Sequence, residues 1–135
     1  MSAGPGVRIV KLGSPRVAGE GLRIGTVRRP PRGVPKERFA KDDWYDVWFP
    51  VLAPSVETMK LGQAASSDRD WVVFKKKFRS ELASPAASHT LALLAALSHQ
   101  TSISVGCYCE DEARCHRAVL RELLREAGAR FAPGD

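Results

Sequence analysis

Two stretches near the start of the chain alternate apolar and polar or small positions with a period of two. Val7-Arg8-Ile9-Val10-Lys11-Leu12 is the first, closed by Gly13-Ser14-Pro15, and Leu22-Arg23-Ile24-Gly25-Thr26-Val27-Arg28 is the second. Successive strand side chains face opposite ways, so both read as strands. Trp44-Tyr45-Asp46-Val47-Trp48-Phe49 is a third extended segment, stopped by Pro50. The spacing then turns helical. Ser55 behind Pro54 caps a helix running to about Leu61, with Gly62 as its stop. Ser67 with Asp70 three residues on matches a capping box, and the helix after it places Trp71, Phe74, Phe78 and Leu82 on one face. Ser84-Pro85 opens a third helix, Ala86 to about Leu97, which is apolar almost all round and is therefore expected to be buried. Ile103 to Cys109 reads as the last strand. Asp111 is the expected cap for a final helix with Val119, Leu120, Leu123, Leu124 and Ala127 on its buried face and Gly128 at its end.

Strands interleaved with helical segments predict a single α/β domain, with a small, mostly parallel sheet flanked by helices. The domain is expected over residues 7–131, behind a flexible N-terminal tip of residues 1–6. A chain of 135 residues that is 44% hydrophobic has one domain's length and enough apolar material for a core. The strands near residues 22–28 and 103–109 are expected to be neighbours or near neighbours. Their carboxyl ends would then share a cleft, where sites in open α/β sheets collect.

Composition adds a partner class. The formal net charge is +6, which favours an anionic small molecule or nucleic acid. Part of that charge is concentrated in Arg28-Arg29-Pro30-Pro31-Arg32-Gly33-Val34-Pro35-Lys36, a proline-stiffened loop carrying four cations just after a predicted strand. Guanidinium groups suit bidentate contact with phosphate or carboxylate. The aromatic residues from Trp44 to Phe49 are expected in the core or a pocket wall. No secretory-type leader and no membrane-spanning apolar run is read, so a cytoplasmic protein with no membrane partner is expected. No glycine-rich phosphate loop is present and no cofactor is called for.

All three cysteines lie in Gly106-Cys107-Tyr108-Cys109-Glu110-Asp111-Glu112-Ala113-Arg114-Cys115-His116-Arg117. Three readings of that stretch stand side by side. Cys115 or Cys109 is a nucleophile or redox thiol, with His116 or an arginine as base or anion clamp. Alternatively, Cys107, Cys109, Cys115 and His116 bind zinc, although side chains of adjacent helical residues diverge by about 100°. In the third reading the cysteines are small core residues, and only backbone and arginines meet a ligand. A phosphatase-type loop is excluded by spacing, since the sixth residue after Cys109 is Cys115 and the sixth after Cys115 is Arg121, well inside the helix.

Cys109-Glu110, a short acidic loop, then Cys115-His116-Arg117 at a helix start resembles the signature of the domain of unknown function 488. Arg23-Ile24, Arg28 and Pro31-Arg32-Gly33-Val34-Pro35-Lys36 resemble the arginine-rich segment of its YeaO-like branch, with Trp44, Pro54-Ser55 and the Trp71 to Leu82 helix in matching order. The resemblance runs from about Val7 to Gly128. It implies an α/β fold, carries no established activity, and directs attention to Cys109, Cys115, His116, Arg117 and the arginine loop. The combined expectation is one anion-binding cleft. In it Arg28, Arg32 and Arg117 hold charge, Cys115 is the reactive thiol with His116 beside it, and Cys109 is its resolving partner or support. A binding module without catalysis, for nucleic acid or a partner protein, is the alternative.

Overall fold

The computed structural model describes residues 5–109 and 115–135. Four strands form one all-parallel sheet: β1 (Val7–Lys11), β2 (Leu22–Gly25), β3 (Val47–Trp48) and β4 (Ile103–Cys107), in the order β1-β4-β2-β3. β4 is the central strand in contact with both early strands, Ile9 pairing with Val105 on one side and Ile24 with Val105 on the other. The expected adjacency of the second and last strands is therefore present. All five residues of β4 are buried. A purely parallel central strand is covered on both faces, and so reads as a short apolar run. Gly106 lets its neighbours close in, since a Cβ there would stand 2.5 Å from the Val10 carbonyl oxygen.

The helices are α1 (Val56–Ala64), α2 (Asp68–Glu81), α3 (Pro85–Leu97) and α4 (His116–Glu126). Ser55, Ser67 and Ser84 cap the first three as expected, each accepting a backbone N–H bond. The main core lies between the sheet and α2, α3 and α4, built on Phe74, Phe78, Leu91, Leu94, Val105, Val119, Leu120 and Leu124. A second cluster of Leu12, Val27, Tyr45, Cys107 and Cys115 sits at the carboxyl end of the sheet.

Several expectations need correction. Gly62 does not stop α1, which continues to Ala64. The glycine instead admits the Phe74 ring of α2, which a Cβ would meet at 2.8 Å. α3 is buried on one side only: Ala87, Leu91, Leu94 and Ala95 face inward while Leu93 is 58% exposed. The segment at 44–49 pairs only at Val47–Trp48, because Tyr45 turns into the second cluster and Trp48 lies at the sheet edge. Ala127 is the exposed C-cap of α4, and Gly128 (φ +91°) ends that helix as expected. Asp111, the expected cap, lies outside the described residues; the helix begins at His116 with Cys115 as N-cap.

Arg23 is fully buried. Its Nε and Nη2 donate to Glu20 at 2.7 and 2.9 Å, and its Nη1 donates to the carbonyls of Ser14 and Asp43. Asp43 is the only non-glycine residue with positive φ among the described residues. The guanidinium thus fixes the loops after β1 and before β3.

Candidate metal and anion cleft

The loops following β1, β2 and β4 open at the same end of the sheet, as expected where parallel strands finish. They border a cavity of about 1140 Å³. Cys107, Cys109, Cys115 and His116 line it, as do Arg28, Arg29 and Arg32. Trp44 and Tyr108 meet edge to face at 5.9 Å along one part of the lining, and Trp71 and Phe74 stack at 4.9 Å along another.

The four thiol and imidazole residues come together from two elements. Cys107 ends β4, Cys109 follows two residues later, Cys115 is the N-cap of α4 and His116 its first residue. One ligand-type atom from each lies within 4.8 Å of all the others. Cys107 Sγ is 2.7 Å from Cys115 Sγ, which is 3.8 Å from His116 Nδ1. Cys115 has extended backbone (φ −129°, ψ 156°) and is not inside the helix. The helical divergence expected between Cys115 and His116 therefore does not apply, and both point to one centre.

His116 Nε2 lies 3.0 Å from the carbonyl oxygen of Thr26. A carbonyl only accepts, so Nε2 carries the proton, and in the neutral ring Nδ1 turns its lone pair toward the cysteines. Thr26 itself is tied to β4, its N–H and hydroxyl both donating to the Gly106 carbonyl. Arg117 is 4% exposed, and its Nη2 donates to the Cys109 carbonyl at 2.6 Å. Its Nε is buried with no hydrogen-bond partner among the described residues.

Three thiols this close cannot all ionise. The Cys107 thiol's hydrogen bond, then that of Cys109 and the contact with His116, drive the Cys115 pKa far below the ordinary thiol range. Cys107 moves the opposite way, through its hydrogen bonds to Cys109 and Cys115 and through burial. For Cys109 the Cys107 contact pulls downward, but Cys115 and burial prevail and push it up to about 11. Burial opposes the charge on Arg117, and the three thiols more than compensate.

Of the residues singled out in the sequence, Cys109, Cys115, His116, Arg28 and Arg32 line the same cavity. Arg28 is committed to protein, its Nε and Nη2 donating to the carbonyls of Pro54 and Ala53. Arg29 and Arg32 are exposed, while Arg117 is buried against the thiol cluster. Cys115 and Cys107 are only 2% and 1% exposed, and Cys109 is exposed. His89 and His99 are exposed and lie outside the cavity lining. Sequence reasoning did not place Arg29, Tyr108, Trp71 or Phe74 at the site. For Arg29 the signal was its place in the arginine loop, but for the aromatics it was shared with core packing.

Among the described residues no helix is long and apolar enough to cross a membrane. Comparison with curated proteins and with solved structures gives no match. One family model does match, over residues 7–128, and it is described as the active DUF488-N3 subclade (DUF488-N3a). With residues 7–128 of the chain matched, the protein belongs to the domain-of-unknown-function-488 family.

Proposed function

We propose that the cleft binds an anionic ligand, a phosphate-bearing nucleotide or the end of a nucleic acid. The observation that carries this reading is the shared lining: Arg29 and Arg32 border the same cavity as four aromatic rings and the thiol–histidine cluster. A volume of about 1140 Å³ is ample for a nucleotide. Guanidinium groups supply charge-assisted hydrogen bonds to phosphate, and aromatic walls supply stacking for a base. The N-terminus of α4 adds a positive dipole end at Cys115 and His116. In this reading Arg29 and Arg32 contact the ligand. Arg28 sets the position of the loop through Ala53 and Pro54, and Arg117 supports the floor from below. Of the three thiols, Cys115 is the one whose ionised form its surroundings favour, through its hydrogen bonds with Cys107 and Cys109. Cys109 is the accessible neighbour, held mostly protonated at neutral pH.

Trp44 and Trp71 line the cavity, so their fluorescence reports ligand entry. Titration with adenosine monophosphate and with a short mixed single-stranded oligonucleotide should give saturable quenching that weakens with salt. Arg32→Ala and Arg29→Ala should each weaken binding about 10-fold or more, the scale of a lost charge-assisted hydrogen bond. Absence of saturable binding to either probe, or unchanged affinity in both variants, removes the proposal.

A further inference from the structure

We propose that Cys107, Cys109, Cys115 and His116 hold one zinc-class divalent ion, in a closed four-ligand site that joins the end of β4 to the start of α4. This inference does not rest on nucleotide binding in the cleft above.

The donor set is three sulfurs and one imidazole nitrogen, all within 4.8 Å of one another. A tetrahedral zinc ion takes such a set at about 2.3 Å to sulfur and about 2.0–2.1 Å to nitrogen. Two thiolates on one such ion stand about 3.8 Å apart, which follows from the same bond length and the tetrahedral angle. Cys107 and Cys115 Sγ are 2.7 Å apart, so loading separates that pair by about 1 Å, within the reach of a side-chain rotation. Cys115 Sγ and His116 Nδ1, 3.8 Å apart, already stand close to the spacing of two ligands on one ion.

Three further observations favour a ligand role over simple packing. First, His116 is oriented as metal-bound histidines are. Its Nε2 proton goes to the Thr26 carbonyl and Nδ1 faces the sulfurs, so the far side of the ring fixes the tautomer. Second, Cys115 leaves its helix without a side-chain capping bond, and its extended backbone aims its sulfur at the same point as the neighbouring imidazole. Third, charge closes. Three thiolates, a neutral imidazole and a divalent ion sum to one negative charge, and Arg117 is a buried guanidinium against the cluster. Its Nε–H, buried without an acceptor among the described residues, is a donor suited to a metal-bound thiolate. Packing alone explains neither the exposed Cys109 nor a histidine and an arginine in this position.

With four protein ligands the ion has no open position, so its role is to fix the cleft floor and the entry of α4. Binding replaces the thiol protons, which leave to solvent, and no electron is transferred.

The test uses the full chain, purified without chelator and with fresh reductant that is then removed. Elemental analysis should give about one zinc per chain. Exchange with cobalt(II) should give the thiolate charge-transfer and tetrahedral ligand-field bands. Cys109→Ser removes an exposed sulfur and should leave circular dichroism unchanged while weakening cobalt binding by at least about 10-fold. Arg117→Gln should weaken it by about 10- to 100-fold, as loss of a supporting partner does. Metal-free protein with three titratable thiols and no cobalt bands overturns the inference. So does a Cys107–Cys115 disulfide with one titratable thiol, or a Cys109→Ser variant with undiminished cobalt affinity. Quenching by nucleotide is read separately, so either proposal can fail while the other stands.

Discussion

Glu20→Ala should be among the most damaging single substitutions in the molecule, although Glu20 does not line the cavity. Its carboxylate accepts both Nε and Nη2 of Arg23, the Ser104 hydroxyl at 2.8 Å and the Val17 amide at 3.3 Å. Glu20 is 3% exposed and Arg23 is 0% exposed. The alanine variant removes all four of these charge-assisted hydrogen bonds and leaves a guanidinium in the interior with only the Ser14 and Asp43 carbonyls as acceptors. Stripping one partner from a buried pair costs about 3–5 kcal/mol, against a total stability of about 5–15 kcal/mol for a domain. The melting temperature should fall by roughly 10–20 °C. Urea unfolding at pH 7 measures the loss as a shift in midpoint with an unchanged slope. Glu20→Gln keeps the shape and one acceptor and should lose about half as much. Arg23 also anchors the Asp43 carbonyl, one residue before the cavity-lining Trp44, so nucleotide quenching should weaken along with stability. A loss below about 1 kcal/mol in Glu20→Ala, the size of an exposed pair, refutes the reasoning.

The pH dependence and two other substitutions follow from the same geometry. For Glu20 and Glu81, burial raises the pKa, but hydrogen bonds from Arg23 and Ser104 in one case, and from Ser55 and Thr58 in the other, outweigh it and leave both lowered from 4.5. A lowered folded pKa contributes stability above the unfolded value that is lost as pH falls through the folded one. The unfolding free energy should therefore hold from pH 7 to about 5 and decline below about 4.5, as urea midpoints across that range will show. Glu81→Gln weakens the bonds that hold Ser55 at the start of α1 and should cost about 1–2 kcal/mol at pH 7, with the difference from the native protein shrinking in acid. Gly106→Val puts side-chain atoms against the Val10 carbonyl in the central strand and should cost about 3 kcal/mol or more, read as lost thermal stability or insoluble expression.

The parts of this fold legible in the sequence are those set by local periodicity and caps. The alternation around Ile9 and Ile24, and the serines at 55, 67 and 84, report a strand face or a helix start within a few residues. That is why β1, β2 and the first three helices start where the pattern puts them, although β2 ends at Gly25, three residues before the expected Arg28. A parallel α/β arrangement then implies a cleft at the carboxyl ends, and the arginine loop shares one with Cys115 and His116. What sequence spacing does not encode is the partner across space. Gly62 has the look of a helix stop because glycine favours ends, yet here it is a gap for Phe74. Arg28 has the look of an anion clamp, yet its hydrogen bonds run to carbonyls 25 and 26 residues away.

The thiol cluster makes the same point more sharply. Helical periodicity assigns Cys115 and His116 to divergent directions, and that argument fails at a single backbone angle, because Cys115 is still extended when His116 begins to turn. Aromatic spacing is equally ambiguous. Trp71 and Phe74 lie on the apolar face of α2, and the pattern states that the face avoids water but not what covers it. Phe78, one turn further on, meets the core and the His116 ring at 5.9 Å, while Trp71 and Phe74 border the cavity. One continuous apolar stripe thus passes from core packing to cavity wall within two helical turns, with Gly62 of α1 set against Phe74 where the change occurs. A bulkier residue at position 62 should therefore displace Phe74 and alter nucleotide quenching before it alters the rest of the core, a local effect that an assignment of α2 to core packing alone does not anticipate.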